Sequence, residues 1–520
     1  MTDVRIITES LGGSPLSQLL QSGEAPIDWV ASAPRSAAEW TERATRRARE
    51  RQWDERWSEL EPAFAATGAA AERLDRVRRS SGIVVSTGQQ AGLFGGPIYT
   101  WSKAMGVLAM ADAIERATGI AAAPVFWAAT DDADFAEAAY TVVARIGGTE
   151  LLRSENAPTP GTPMSLAALG DISHPMHLLR SAVGSAADSR ALETAVAAYR
   201  DPSHTVGDAF VALLRDLLSS LGVSVLDASH AAVRTASEPT LRAALRDAAK
   251  IEKALATRTR DVRAAGFHPQ VEDVPGLSLV FKRDGAIKRR LSVAEAGTAA
   301  EDRSAWLTPN VLLRPIVEQA ILPTVGYLGG PGELAYFAQA SAVADALGVE
   351  RPLGLPRWSC TLIEPHIQRL LDAFGVGPDA LARPDALEGV VARRAMAGQS
   401  SLSLAQLREV IGTMPAALAA ESKPLGLTAA VQGSMQSLLH RVDRLERRLV
   451  ARIKQRESDL LRDVATLRAA LYPRGTRQER ALNLVPILSR HGLDLLAEMR
   501  DAASAHAARL IDRSATGRPA

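Results

Sequence analysis

Two stretches of the sequence share an uncommon design, in which a short apolar strand runs through a glycine-rich turn and a proline into a helix. The first covers 83–97 and the second covers 324–333. Three more apolar runs alternate with helical segments and predict further strands, at 124–128, 223–227 and 352–356. Continuous apolar strands alternating with helices are typical of a mostly parallel sheet covered on both faces. The sequence therefore predicts an α/β fold with a Rossmann-like parallel-sheet core.

The residues of the two turns indicate anion recognition. Glycines let backbone N–H groups approach a ligand closely, and the following helix N-terminus adds free N–H groups and the positive end of a dipole. Because open parallel sheets bind ligands at the carboxyl ends of their strands, we expect both turns to face one crevice. The candidate substrate-binding residues are Thr87, Gly88, Gln89, Gln90, Gly96, Pro97, Gly330, Gly332 and Glu333. The alternative is a pair of tight turns without a ligand, with Glu333 only complementing the helix dipole.

Charged residues near the predicted strand ends are candidates for chemistry. Lys103 follows about two turns into the first helix, where it directs a cation toward the crevice. Asp131, Asp132 and Asp134 follow the second strand, and clustered carboxylates can hold Mg²⁺, bind an amine or act as a general base. A solvated loop or a helix cap is the alternative for this cluster. Lys103, Asp132 and Asp134 are the predicted catalytic residues, and no metal site is predicted.

Arg314 precedes the fourth predicted strand. A guanidinium group suits bidentate contact with a carboxylate or a phosphate, so Arg314 joins the predicted substrate-binding residues. A structural ion pair explains an arginine at this position equally well.

The strands are unevenly spaced along the chain, which predicts a core interrupted by insertions. The second insertion carries a basic, hairpin-like segment, 281–288, whose Asp284-Gly285 step is a hairpin turn signal. The predicted organisation is a helical segment at 1–80, a core at 81–362 with insertions at about 147–202 and 236–308, a coiled-coil domain at 363–474 and a C-terminal helical segment at 475–520 that packs back on the core.

The coiled-coil prediction rests on one apolar stripe that runs from Met435 to Leu471. If Arg456 fills the one gap in this stripe, ten steps cover the 36 residues from Met435 to Leu471, or 3.6 residues per step, which is the period of a straight helix with little supercoil. Helical segments at 385–397 and 402–420 are predicted as its antiparallel partners. Pro473 closes the long helix, because proline cannot continue the hydrogen-bond ladder. We expect an arm of this kind to form a homodimer or to brace a domain.

Composition narrows the classes of function. The chain has 520 residues, and Lys+Arg 60 against Asp+Glu 59 leaves a net charge of +1, so no global field attracts nucleic acid or an anionic membrane. A single cysteine, Cys360, excludes an internal disulfide and fits a reducing compartment. The first ten residues lack the pattern of a signal peptide. We expect a soluble, cytoplasmic protein that binds neither nucleic acid nor membrane.

Four segments, in order along most of the chain, resemble the BshC family, the cysteine-adding enzymes of bacillithiol biosynthesis. The first turn with Lys103 resembles the opening signature of the family, and 124–127 with the acidic cluster resembles its second strand. The segment 310–333 contains Arg314-Pro315 and Gly330-Pro331-Gly332-Glu333 and resembles the fourth strand. The last segment is Gln478-Glu479-Arg480 with Asn483 and Pro486, after the coiled coil.

The resemblance implies a nucleotidyltransferase-like core with two connective insertions and a coiled coil that forms a homodimer. It also implies a ligase that joins the carboxyl group of cysteine to the glucosamine amine of glucosaminyl-malate. Activation of a free carboxylate suggests ATP or ADP with Mg²⁺, and no tightly bound cofactor is expected. Members of the family are similar in having a nucleotide site toward the coiled-coil end. By matching motif, its candidate residues are Arg357, Arg480 and Asn483.

One departure leaves two hypotheses open. The family reads Glu-Asp-His-Asp-Phe after the second strand, whereas this chain has Ala133 in place of the histidine, and Tyr140 stands where a later histidine is expected. The first hypothesis is a working ligase in which Asp132 or Asp134 accepts the amine proton. The second is a divergent, non-catalytic, dimeric binding protein that keeps the pocket. A nucleotidyltransferase of different substrate is a weaker third alternative.

Overall fold

The computed structural model describes residues 2–50, 53–185, 188–201, 203–383, 387–389, 396, 398–456 and 458–512. These form two compact units, the first made of Met1–Val143, Leu151–Leu362 and Glu479–Ala520, and the second of Ala144–Glu150 and Ile363–Gln478. The predicted N-terminal segment and the predicted core therefore belong to the same unit.

The strands, in chain order, are β1 (Arg5–Thr8), β2 (Ile83–Gln90), β3 (Ala122–Ala129), β4 (Tyr140–Arg145), β5 (Gly148–Arg153), β6 (Ser224–Asp227), β7 (Leu277–Asp284), β8 (Ile287–Ser292), β9 (Trp306–Pro309), β10 (Thr324–Gly329), β11 (Gly354–Pro356) and β12 (Cys360–Ile363).

The α-helices are α1 (Pro15–Ser22), α2 (Ala37–Glu50), α3 (Trp53–Phe64), α4 (Gly68–Arg79), α5 (Ile98–Thr118), α6 (Phe135–Ala138), α7 (Ser173–Val183), α8 (Arg190–Arg200), α9 (Val206–Leu218), α10 (Ala231–Arg246), α11 (Ala248–Ala264), α12 (Val293–Glu301), α13 (Arg314–Ile321), α14 (Pro331–Leu347), α15 (Pro365–Phe374), α16 (Gly398–Ala417), α17 (Ala419–Ser422), α18 (Thr428–Arg456), α19 (Ser458–Leu471), α20 (Gln478–Ala481), α21 (Val485–His491) and α22 (Asp494–Ile511).

All five strands predicted from the sequence pair in one parallel sheet, in the order β11-β10-β2-β3-β6. The Rossmann-like fold class is therefore confirmed. The strands β2, β3 and β10 are buried along almost their whole length, because their Val, Ile, Ala and Phe side chains pack against helices on both faces. The two glycine-rich turns follow β2 and β10, which are adjacent, so both lie at one edge of the sheet.

Helices cover each face of the sheet. On one face, Trp57, Leu60 and Phe64 of α3 pack with Val84 of β2 and Val125 of β3 in a buried cluster. On the other face α5 contacts β2, β3 and β10, and α22 and α2 pack over α5. The N-terminal and C-terminal segments thus serve as covering layers for the core.

The second insertion forms a three-stranded antiparallel sheet in the order β8-β7-β9. The predicted hairpin turn lies between β7 and β8, and Gly285 adopts a φ of +59° there, a conformation that favours glycine. This sheet belongs to the first unit together with the core.

The second unit is helical and contains an antiparallel pair, α16 and α18. Leu404 and Ile411 of α16 pack with Val442 of α18, and Arg408 pairs with Asp443 at 2.8 Å. The predicted stripe is only partly covered, since Leu438 and Leu445 are 39% and 49% exposed. The apolar stripe of α18 is therefore wider than the surface that α16 alone covers. The predicted helix at 385–397 lies mostly outside the described residues, as does residue 457 between α18 and α19.

None of the helices in the described ranges is long and apolar enough to span a membrane.

Candidate functional site

A cavity of about 630 Å³ lies at the carboxyl ends of β2, β3 and β10, within the first unit. Its walls come from both glycine-rich turns, the loop after β3, the inserted sheet and the segment after β11. Eleven of the residues predicted from the sequence line it, namely Gly88, Gln89, Gln90, Lys103, Asp132, Arg314, Gly330, Gly332, Glu333, Arg357 and Arg480. The expected crevice is therefore present, with residues 88–90 and 330–333 in its walls, but Gly96 and Pro97 of the first turn do not reach it.

Lys103 connects the two turns. Its ammonium group donates to the Gly88 carbonyl at 2.7 Å and to Gln89 Oε1 at 2.8 Å, and it pairs with Glu333 Oε2 at 2.6 Å. The residue is buried. An ammonium group has three N–H donors, so the protein itself occupies all of them. This arrangement makes Lys103 an organiser of the cavity wall, and a direct catalytic role for it stays a prediction.

Glu333 is the centre of the second turn. It accepts hydrogen bonds from the Gly330 amide at 2.7 Å and from the Tyr327 hydroxyl, in addition to its ion pair with Lys103. Burial raises the pKa of Glu333, but the charge and hydrogen bonds of Lys103 and Tyr327 outweigh burial, so the net shift of this pKa is downward. The carboxylate is therefore ionised at neutral pH.

Arg314 begins α13 and places a second cation on the cavity. Its guanidinium donates to Glu318 Oε2 at 2.9 Å and to the Tyr336 hydroxyl at 3.1 Å, and it lies 4.7 Å from the centroid of the Tyr327 ring. Ser86 of β2 donates to the other oxygen of Glu318. A guanidinium has five N–H donors, so Arg314 keeps donors for a ligand.

The acidic loop after β3 divides its residues between two tasks. Asp132 lines the cavity, and its Oδ1 accepts from the Ala133 amide at 2.6 Å. Asp134 instead caps α6, where it accepts from the Glu137 amide at 3.2 Å. Asp131 also lines the cavity, and burial raises its pKa. The helix-cap alternative therefore describes Asp134, while Asp132 faces the cavity.

Four other predicted residues lie away from the cavity and hold the first turn in place. Asn483 is buried, and its Nδ2 donates to the carbonyls of Phe94 at 2.9 Å and Gly96 at 3.2 Å. Pro97 pairs with Asn483 in a β-bridge, and the Ile98 amide donates to Leu482 at 2.8 Å. The C-terminal segment thus covers the helix N-terminus at which the sequence predicts an anion site. Thr87 donates to the Leu328 carbonyl at 2.8 Å and joins β2 to β10.

Arg357 and Arg480 differ in their availability to a ligand. Arg357 is buried and forms a bidentate pair with Glu479, at 2.7 and 2.9 Å, and it also donates to the Trp358 carbonyl at 2.8 Å. Arg480 is exposed and lines the cavity. Of the two arginines among the predicted nucleotide contacts, only Arg480 has a charged group that a ligand can reach.

Two protein-family models together match most of the chain. One, described as "Bacillithiol biosynthesis BshC, N-terminal Rossmann-like domain", matches residues 31–358, and the other, "Bacillithiol biosynthesis BshC, C-terminal coiled-coil domain", matches residues 360–510. The chain belongs to the BshC family. The resemblance drawn from the four sequence segments is thereby confirmed, as is the prediction that the chain is a member of a ligase family.

The matches to curated relatives cover most of this chain and most of each relative. A protein of Solibacter usitatus is 31% identical over 468 residues, covering 86% of this chain and 87% of the relative. One from Koribacter versatilis is 33% identical over 469 residues, covering 85% and 86%, and one from Salinibacter ruber is 27% identical over 453 residues, covering 82% of each. All three carry the name "Putative cysteine ligase BshC".

Ala133, at the position where the family resemblance leads us to expect a histidine, lies on the cavity wall. Near it lies Glu137 of α6, which the sequence analysis missed. Burial raises the pKa of Glu137, and the charges of Asp134 and Asp132 raise it further. Its carboxylate is hydrogen-bonded to the Tyr99 hydroxyl, which also accepts from Gln89 at 3.3 Å. The signal for Glu137 was its position three residues after Asp134, at helical spacing.

Lys288 and Arg290 of the inserted sheet were also missed, although the sequence analysis singled out their hairpin as basic. Both line the cavity. Alternation along β8 places residues two apart on the same face, which was the available signal. Among the described residues, no group of three or more His, Cys, Asp or Glu side chains is arranged to hold a metal ion.

Proposed function

We propose that this protein is the ligase that joins the carboxyl group of cysteine to the glucosamine amine of glucosaminyl-malate, forming the amide bond of bacillithiol. The observation that supports it is a single cavity, in a chain of the BshC family, that combines an available guanidinium with cavity-facing carboxylates. These groups are the guanidinium of Arg314 and the carboxylates of Asp132 and Glu137, all of which line the cavity. A carboxylate substrate and an amine substrate need this pairing of charges.

Arg314 is proposed to hold the cysteine carboxylate, because it keeps donors after its contacts with Glu318 and Tyr336. Lys103 acts indirectly, without contacting the substrate. It fixes the Gly88 carbonyl, the Gln89 side chain and Glu333 in the cavity wall. The proposed division is a guanidinium that contacts substrate and a lysine that positions the surface around it.

Glu137 is proposed to accept the proton of the attacking amine. The amine nitrogen attacks the activated carboxyl carbon, the C–N bond forms, the leaving group departs with the carbon–oxygen electron pair, and one amine proton moves to the carboxylate. A base with a raised pKa is better matched to this transfer near neutral pH than an ordinary carboxylate. Asp132, on the same wall, is the second candidate, and it can hold the ammonium form before deprotonation.

Activation by MgATP is part of the proposal, because an unactivated carboxylate has no adequate leaving group for amide formation. Arg480 is the nucleotide candidate whose charge remains accessible on the cavity. Arg357 is engaged by Glu479, and Asn483 by the backbone of the first turn. The proposed setting is a reducing cytoplasm, which the buried Cys360 thiol fits.

The test is to incubate the purified protein with cysteine, glucosaminyl-malate and MgATP and to look for bacillithiol by mass spectrometry. We expect product with wild type, none without ATP, and a loss of about 10²–10⁴-fold in kcat for Glu137→Gln. Glu193→Gln, on the exposed first turn of α8, is the matched control and leaves the rate unchanged. No product, despite saturable binding of both substrates, would contradict the proposal.

A second candidate function is a non-catalytic binding protein, and Ala133 is the observation that favours it. An alanine on the cavity wall leaves the family's imidazole absent at that position. Ala133→His distinguishes the two candidates. A gain of bacillithiol synthesis from an inactive wild type supports an eroded site, whereas an active wild type excludes the binding-protein hypothesis.

Homodimerisation through the arm is the remaining part of the proposal. Leu407, Val410 and Leu445 of the α16–α18 pair are 47%, 54% and 49% exposed, and a second copy of the same pair is proposed to cover them. Light scattering in solution tests this. The double variant Leu445→Gln/Leu449→Gln is expected to lower the mass to that of one chain, while the control Arg447→Gln, exposed on the opposite face of α18, keeps the dimer. A wild-type monomer would refute it.

A further inference from the structure

The positively charged side chains on the two faces of the inserted sheet have different partners. Strand register places Lys282 opposite Arg289, and places Arg283 opposite both Lys288 and Trp306. Because side chains alternate along a strand, the first pair lies on one face and the second set on the other. The Arg283 face also carries Arg290, two residues beyond Lys288.

On the Lys282 face, each cation has an acidic partner. Lys282 pairs with Asp302 at 2.9 Å, and Arg289 pairs with Glu295 at 2.7 Å. Hydrogen bonds lower the pKa of both acids to about 2, from Ser304 and Lys282 to Asp302 and from Arg289 and Ser292 to Glu295. This face therefore has balanced charge and is expected to be inert toward anions.

On the Arg283 face, no cation is in ion-pair contact with a carboxylate within the described ranges, although Lys288 and Arg290 interact at longer range with the carboxyl groups of Asp131 and Asp273. The Arg283 guanidinium lies 3.5 Å from the centroid of the Trp306 ring, and Arg234 of α10 lies 4.5 Å from the same centroid. Lys288 donates to the Asp131 carbonyl at 2.6 Å, and Arg290 has only a backbone acceptor, at 2.6 Å. None of these four forms an ion pair with a carboxylate in the part of the chain that the structure describes.

A second, much smaller cavity of about 30 Å³, with room for about two water molecules or one carboxylate group, opens on this face. Its lining includes Arg234, Arg283, Trp306 and Thr308, and it shares Trp127, Asp131, Lys288 and Pro309 with the main cavity. The two spaces therefore meet along a common wall. Asp131 is the acid of that wall, and burial favours its neutral form by raising its pKa.

Buried polar atoms at this second cavity lack hydrogen-bond partners within the described ranges. They are Thr308 Oγ1, Arg234 Nε and Trp127 Nε1. Buried polar groups are nearly always hydrogen-bonded in folded proteins, so three unsatisfied groups beside the Arg283 and Arg234 guanidinium groups, which form no ion pair, indicate a missing anionic partner. All three of these groups are able to donate a hydrogen bond.

We infer that the Arg283 face is an anion subsite for a dicarboxylate group of the substrate. Arginine matches a carboxylate bidentately, and two stacked guanidinium groups with Lys288 beside them match two carboxylates. The inference rests on the proposed function, in which the amine substrate carries malate. The glucosamine amine then lies toward Asp132 and Glu137 in the main cavity. One malate carboxylate lies along the shared wall at Lys288, and the other enters the second cavity at Arg283 and Arg234.

The test is calorimetric binding of glucosaminyl-malate at low salt, compared with three probes, namely L-malate, methyl glucosaminide and inorganic phosphate. Arg283→Gln is expected to weaken the binding of glucosaminyl-malate by about tenfold or more and to leave methyl glucosaminide unchanged. Arg283→Lys, which keeps the charge without the bidentate fork, falls between. Lys282→Gln, one residue away on the opposite face, is the matched control and leaves all four affinities unchanged.

The outcomes separate this subsite from the ligase itself. Equal affinity of wild type and Arg283→Gln for glucosaminyl-malate, with the variant folded by circular dichroism, would overturn the subsite even if bacillithiol is made. Loss of phosphate binding alone in Arg283→Gln would overturn the dicarboxylate assignment. Arg283-dependent binding of glucosaminyl-malate without any bacillithiol would keep the subsite and refute the ligase.

Discussion

The two glycine-rich turns follow adjacent strands and have the same local design, yet the structure uses them in opposite ways. After β10, Gly330, Gly332 and Glu333 all line the cavity. After β2, Gly96 and Pro97 lie beneath the C-terminal segment, where Asn483 and Leu482 occupy the backbone groups of the turn. The difference teaches that a turn's local geometry makes it competent to bind, and that the distant chain laid over it decides whether a ligand reaches it.

The largest expected effect is at Lys103, which joins the two turns. Lys103→Ala leaves Glu333, which is 22% exposed, without its counter-ion. Removing one partner of a fully buried pair costs about 3–5 kcal/mol, and the partial exposure of Glu333 places the expected cost at the lower end of that range. We expect a large fall in the free energy of unfolding in urea, together with loss of ligase activity. The double variant Lys103→Ala/Glu333→Gln removes the stranded charge and is expected to recover part of the stability. A single variant as stable as wild type would show that the turns are not coupled.

Asn483→Ala tests the covering of the first turn. It deprives the buried carbonyls of Phe94 and Gly96 of their donor and is expected to cost about 2–3 kcal/mol of unfolding free energy. Because Asn483 does not line the cavity, the KM values of the folded variant stay near wild type. A rise in the KM for ATP without a loss of stability would instead restore the nucleotide role predicted from the sequence.

Paired glycine substitutions compare the turns directly. Gly96 has φ of 70° and ψ of −164°, which other residues rarely adopt, so Gly96→Ala is expected to destabilise the fold by about 1–3 kcal/mol. At Gly332 an added Cβ lies 3.6 Å from Gln270 Nε2, an ordinary contact, so Gly332→Ala is expected to keep the stability within about 0.5 kcal/mol. The added methyl group narrows the cavity, so the KM of the Gly332→Ala variant for its substrates is expected to rise. The opposite pattern in thermal melts and kinetics would reverse the assignment of the two turns.

The smallest effect is a separation of two acid transitions. Glu137 titrates above its usual 4.5, so kcat/KM falls as pH drops through that raised pKa. The pKa values of Glu333 and Glu479 are lowered, so the stability they contribute is present above their unfolded value of 4.5 and is lost only as pH falls through the lower folded pKa. Activity is therefore expected to decline before the circular dichroism signal. Glu137→Gln removes the first transition, and coincident transitions in wild type would contradict the assignment.

The parts of the fold that local patterns determine were predictable. The five strands are continuous apolar runs, and the Asp284-Gly285 turn is a short-range signal, so each could be located from a few residues. The common crevice followed from two similar turns in a parallel sheet. Alternation along β8 would also have placed Lys288 and Arg290 on one face, had it been applied to the hairpin.

The uses of particular side chains were not predictable, because they depend on partners far along the chain. Lys103 lies at the distance after β2 that is expected of a lysine facing the substrate. Its partner Glu333, however, follows a different strand, β10. Asn483 resembles a ligand contact in a motif, and only the fold shows that it faces Phe94. Asp134 and Asp132 differ in role because a four-residue helix begins between Asp134 and Glu137.

The bond from Asn483 to Phe94 joins residues 389 positions apart, and it has a consequence for biosynthesis. During translation, β2, β3 and α5 emerge from the ribosome long before the segment that fastens the first turn. Contacts of such long range form late, because the intervening chain must be ordered before they are gained. The cavity therefore stays incomplete in the nascent protein for most of its synthesis. It is completed only when the segment around Asn483 has been made.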